Sequence, residues 1–249
     1  MTFEEITNLL IAEYENNLEK FHLLDIPFEE KRDFTRLQVA LCALDKFDDK
    51  VLEYLNNNSL VNSIKEVQKG IYDIKTKFGE TKLLTPKTLY QGNMPFVPII
   101  GDCYNNSLTN TLVTSYSQNP AASVGILYIS DENHIVHAIS EFDNDKDDRY
   151  IIDYNYNLVM RKDFYCKLYN FKILNTVTKE QIHELLTLYY NCKEHTLNRE
   201  DKDNIHNTAY LLLAPDEYKK YAQDIIADQR FDDYKFMFKK VYEKSKEYH

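Results

Sequence analysis

Five glycines and six prolines are all the backbone punctuation carried by this 249-residue chain. So few breakers exclude a many-turned β-sandwich and require long regular elements. Five of these eleven (Pro86, Gly92, Pro95, Pro98 and Gly101) fall between Thr81 and Gly101. That stretch shows no clean apolar alternation, so it reads as a connector that divides the chain.

Before it, residues 1–80 read as a helical subdomain. Phe3, Ile6, Leu9, Leu10 and Tyr14 recur at helical spacing, and Thr2 with Glu5 three residues on forms a capping box. Phe34, Leu37, Ala40, Leu41, Leu44, Phe47, Val51 and Leu55 mark a second helix over Glu29–Leu55, ended by Asn56-Asn57-Asn58. Val61, Ile64, Val67, Ile71 and Ile74 suggest a third over Leu60–Phe78, stopping near Gly79.

After it, residues 81–175 read as a mixed core. Tyr104, Leu108 and Leu112 share one helix face, giving a helix over 104–116. Ser123–Ser130, His134–Phe142 and Arg149–Tyr154 read as strands, the last two joined by a polar tip at 143–148, and Phe164–Leu174 adds another. Helical patterns return over 176–249. The expected class is α+β.

Lys plus Arg number 30 against 40 Asp plus Glu, a net charge of −10. This argues against nucleic-acid binding and against docking on anionic membranes. No apolar run approaches the ~18 residues of a membrane span. The acidic N-terminus is unlike a signal peptide. Four scattered cysteines (Cys42, Cys103, Cys166, Cys192) without a CxxC pair point to a reducing, cytoplasmic setting.

The sharpest chemical signal is Gly101-Asp102-Cys103-Tyr104, where the connector enters a helix. Unpaired N–H groups and the positive end of the helix dipole favour a thiolate at Cys103. Gly101 leaves room for a substrate backbone, and the Cys103 N–H is a candidate oxyanion donor. His137 and Asp153 follow on two strands expected to pair. A thiol nucleophile needs such a base and an orienting carboxylate.

A Cys at a helix start, then His137-Ala138-x-x-Glu141, then Ile151-Ile152-Asp153 resembles the transglutaminase-like core of the papain-like cysteine-enzyme superfamily. The resemblance covers Gly101–Tyr154. It implies Cys103 as nucleophile, His137 as base and Asp153 as orienting acid, with a protein or peptide substrate and no cofactor. Ile139 stands where the family carries Trp, and Asp153-Tyr154-Asn155 replaces Asp-Pro-Thr. Val97 occupies the place of the papain-like oxyanion Gln, leaving Gln91 or Asn93 as substitutes.

Plainer readings stand beside these. An isolated Cys is often a buried small hydrophobe, a strand His a satisfied core residue, and Asp153 a turn former. His134 and His137 fall on opposite strand faces, and Cys192, His195, His183 and His206 give only one closely spaced pair, so no metal is expected. The acidic tip lacks the glycine and glutamate of a calcium loop. Tyr150, Tyr154, Tyr156, Tyr165 and Tyr169 suit half-buried sheet positions better than a stacking surface. The function expected is a cysteine-dependent hydrolase, deamidase or acyl transferase. The alternative is a non-enzymatic interaction module with the same fold.

Overall fold

The computed structural model describes residues 26–115, 119–128, 130–144 and 148–184, with positions 2, 3, 5, 7–9, 12, 243 and 247. Helix α1 (Lys31–Asn56) follows a 3-10 turn at Phe28–Glu30. It holds no glycine or proline. Its buried stripe of Phe34, Leu37, Ala40, Leu41, Leu44, Val51 and Leu55 repeats at helical spacing. Asn58 turns the chain onward, its amide donating to Asp33 O and its Oδ1 accepting from Leu60 N–H. At the N-terminus the described positions from 3 to 12 are helical, and Thr2 and Glu5 close the expected capping box at 2.7 and 3.2 Å.

The third expected helix is not formed. The helical segment expected to reach residue 80 ends at Asn56, and strands β1 (Val61–Gln68), β2 (Ile71–Thr76) and β3 (Gly79–Leu84) follow as an antiparallel meander. Gln68 pairs with Ile71 across a two-residue turn in which Gly70 takes φ +74°. Tyr72, Ile74, Thr76, Thr81 and Leu83 are buried in alternation, while Asp73, Lys75, Glu80 and Lys82 face outward. The outward residues pair across strands, Lys82 with Asp73 at 2.7 Å and Lys75 with Glu80 at 3.5 Å.

Beyond helix α2 (Pro86–Leu89) come helix α3 (Cys103–Val113), β4 (Ala121–Tyr128), β5 (His134–Asp143), β6 (Arg149–Asp153), β7 (Leu158–Arg161), helix α4 (Lys162–Leu168) and β8 (Phe171–Thr178). The connector is thus shorter than expected, since β3 and α2 take up its first half. The strand expected over Phe164–Leu174 is α4 followed by the start of β8. The helical readings beyond residue 184 lie outside the described residues. Eight strands follow the order β1-β2-β3-β7-β6-β5-β4-β8, which makes the protein α+β. Among the described residues no helix is long and apolar enough to cross a membrane.

Two compact units divide the chain, one of residues 1–97, 126–136 and 144–172, the other of 98–125, 137–143 and 173 onward. In the first, α1 and α4 bury the inner face of the meander and of β6–β7. Gln38 donates to Leu168 O at 2.9 Å, tying α1 to the end of α4. Tyr165 and Tyr169 pack at a tilt within this core, 4.9 Å between ring centres. In the second unit, Ser140 of β5 donates to Ser107 O of α3 at 3.1 Å. Ser123 of β4 donates to buried Glu141 of β5 at 2.5 Å.

Burial holds the Tyr165 and Tyr169 hydroxyls well above the ordinary tyrosine value of 10.0, reinforced by Asp153 and by Cys42 respectively. Above pH 10 the unfolded chain ionises tyrosines that the folded chain keeps protonated. The unfolded state then binds fewer protons, and stability falls as pH rises. This contribution is whole below about pH 10 and is lost above it. Urea midpoints should therefore hold level up to pH 9.5 and then decline, less steeply in Tyr165→Phe. An identical decline in that variant would contradict the assignment.

Candidate active site

Ile99–Asp102 form a turn closed by Asp102 N–H to Ile99 O at 3.1 Å. Gly101, third in that turn, has φ +86°, the conformation that type II turns reserve for glycine. The glycine is therefore required by its backbone. Space above it is also open, with nothing within 4 Å of a Cβ built there. Buried Asn106, one turn into α3, clamps this loop. Its Oδ1 accepts from Ile99 N–H at 3.1 Å and its Nδ2 donates to Ile99 O at 2.7 Å.

Cys103 is the first residue of α3, a free and half-buried thiol. Asp102 precedes it without capping the helix by its side chain, because its carboxylate takes both contacts from Asn105 Nδ2 at 3.1 and 2.9 Å. The Cys103 thiol makes no hydrogen bond among the described residues, to His137 or to any other group. Cys42 lies 3.6 Å from the Tyr169 hydroxyl, and Cys166 sits half-buried on α4. Cys192 lies outside the described residues.

His137 is 3% exposed in the middle of β5. Regular alternation sends it to the strand face of Ile139 and Glu141, while Ala138 and Ser140 share the other. Ser140 is the residue that meets α3. Position 138, two residues from Ser140 on that same face, is alanine.

Asp153, 1% exposed, closes β6. Its Oδ1 accepts from the N–H groups of Asn155 and Tyr156 at 2.9 and 3.2 Å, and its Oδ2 accepts from the Tyr165 hydroxyl at 2.6 Å. It is a turn former, as its plainer reading has it, and also a rigid buried acceptor. Gln91 and Asn93 are exposed in the chain reversal after α2, Gln91 with φ +52°. Both belong to the first unit.

Sequence reasoning missed Asn106 and Tyr165. Asn106 left a trace, a polar residue set among the buried positions of an amphipathic helix. Tyr165 left none, because the expected strand there carried it as sheet surface. Among the described residues no cluster of three potential metal ligands occurs. His134 is exposed at the start of β5 and His137 buried further along it. The tip after β5 is closed by Asn144 N–H to Asp148 O at 3.0 Å. Tyr150, Tyr154, Tyr165 and Tyr169 are buried packing residues.

No family model, curated protein or solved structure matches the chain.

Proposed function

We propose that this protein is a cysteine-dependent enzyme acting on an amide or acyl bond of a protein or peptide, as hydrolase, deamidase or acyl transferase. One observation carries the reading: Cys103 is a free, half-buried thiol on the first residue of a helix, behind a turn held rigid by Asn106. In this reading the core is papain-like or transglutaminase-like, which the strand order β6-β5-β4 after a Cys-bearing helix supports. Cys103 sulfur attacks the carbonyl carbon, the bond to the leaving group breaks, and His137 carries the thiol proton to that group. Water or an amine then resolves the thioester. The resemblance assigns Asp153 as the orienting acid. Among the described residues the thiol is unpaired at rest, and catalytic hydrogen bonds of this kind are often made only in the substrate complex. The chemistry needs no cofactor, and free thiols suit a reducing cytoplasm.

Limiting iodoacetamide between pH 5 and 8, followed by peptide mapping, tests this directly. Cys103 should react about tenfold faster than Cys42 and Cys166, as an activated thiolate does. The preference should persist below pH 7 and weaken in His137→Ala. Uniform slow labelling with an ordinary thiol profile would sink the enzyme.

A second reading, the non-enzymatic interaction module, is favoured by the apolar loop before Cys103. Val97, Ile99 and Ile100 are 87%, 62% and 89% exposed. Large apolar side chains concentrated at a surface mark interaction sites.

A further inference from the structure

The unit built on α1 holds a groove of about 850 Å³ that the proposed chemistry does not use. Its floor is aliphatic, from Leu41 and Leu44 of α1, Ile71 of β2, Leu83 and Leu84 of β3, and Leu89 of α2. The β1–β2 turn forms one wall. A Cβ at Gly70 would stand 2.8 Å from Thr88 Oγ1, so glycine lets the turn press against α2. Gln91 and Gly92, with φ +52° and +87°, form the far rim. Their N–H groups are spent on the carbonyls of Thr88 and Lys87, at 3.0 and 2.7 Å, and offer no anion nest.

Positive charge at the rim comes from Lys69 and Lys87. Both are exposed, and neither has an ion pair or hydrogen bond among the described residues. The carboxylate of Glu66, which also lines the groove, accepts from Gly70 N–H at 2.8 Å. Two cations against the single carboxylate of Glu66 thus border an aliphatic trough, in a chain whose net charge is −10.

We propose that this groove binds a single-chain amphipathic anion, its alkyl chain along the leucines and its head between Lys69 and Lys87. Apolar lining with a few fixed polar groups, in a volume of roughly 300–1,000 Å³, is the usual design of small-molecule sites. Each methylene buried should tighten binding about fourfold. The two lysines together should add about fivefold, as exposed charge pairs do.

The test is calorimetric titration of the full chain with dodecanoate, dodecyl phosphate, dodecanol and butanoate, the two long-chain anions below their micelle-forming concentrations and dodecanol below its solubility limit. Both long-chain anions should bind saturably at one site, dodecanol about fivefold more weakly, and butanoate not at all. A preference between carboxylate and phosphate assigns the head. The double variant Lys69→Gln/Lys87→Gln should lose that advantage for the anions and leave dodecanol unchanged. Leu84→Glu, at a half-exposed position, should abolish binding without changing the thermal transition, and Leu89→Glu repeats the test if that variant misfolds. Non-saturating uptake, or equal anion affinity in the lysine variant, would overturn the proposal. So would conversion of a dimer to a monomer by Leu84→Glu, which would make a second copy of this chain the occupant.

Discussion

Asp153→Ala should lower stability by about 3 kcal/mol, which for a chain of this size is roughly 6–12 °C in Tm. The buried Tyr165 hydroxyl loses its acceptor, and two turn N–H groups lose theirs. An unsatisfied buried donor costs about 1–3 kcal/mol by itself. Asp153→Asn keeps an Oδ1 acceptor for the turn and presents an amide that the Tyr165 hydroxyl can accept from, so its cost should be nearer 1 kcal/mol. Thermal melts of the two variants check this order, and an alanine variant that melts like the parent would remove Asp153 from the core. The asparagine variant also isolates the proposed catalytic role. Misoriented imidazole should reduce turnover by about 10³–10⁴-fold in a protein that still folds. Retained activity in Asp153→Asn would leave the residue a structural acceptor only.

Asn106→Ala should free the loop in front of Cys103. Ile99 N–H loses its partner and Ile99 O keeps only the Asp102 N–H, at a cost of about 1–3 kcal/mol. Proteolysis at limiting enzyme should then cut fastest between Pro98 and Asp102. In the parent, β3 and α2 already shield the first half of the expected connector. The same variant should reduce any turnover by about a hundredfold, since displacement of about 1 Å at a reacting group has that effect. Unchanged cleavage and unchanged Cys103 labelling would show that the clamp is dispensable.

The parts of the fold that were readable are those in which one pattern had one meaning. Helix α1 runs 26 residues without a breaker, and its stripe fits no other period. β4, β5 and β6 were visible as apolar runs bounded by polar turns. The meander was misread because Val61, Ile64, Val67, Ile71 and Ile74 stand three and four apart, as on a helix. In β1 only Ile64 is buried, so that strand had no alternation to show. The usable signal was Lys69-Gly70, a two-residue turn before the alternating Tyr72, Ile74 and Thr76. The order Cys103, His137, Asp153 was legible as chemistry. The side chains that fix it were not. Asn106 acts on a residue seven places back, and Tyr165 on one twelve places back, across a turn, a strand and a helix start that a linear reading had not drawn.

An eight-stranded open sheet has two margins, and among the described residues β1 forms one of them. Register shifts interrupt its pairing between Val61 and Ser63 and again between Glu66 and Gln68. Lys65, Glu66 and Gln68 are exposed along it. Bulges twist a margin away from flatness, and charges penalise an identical strand laid beside it. In a crowded cell this end of the sheet is thus a poor template for fibril growth. The irregular, half-polar sequence that hid β1 from recognition as a strand is also what keeps neighbouring copies from extending it.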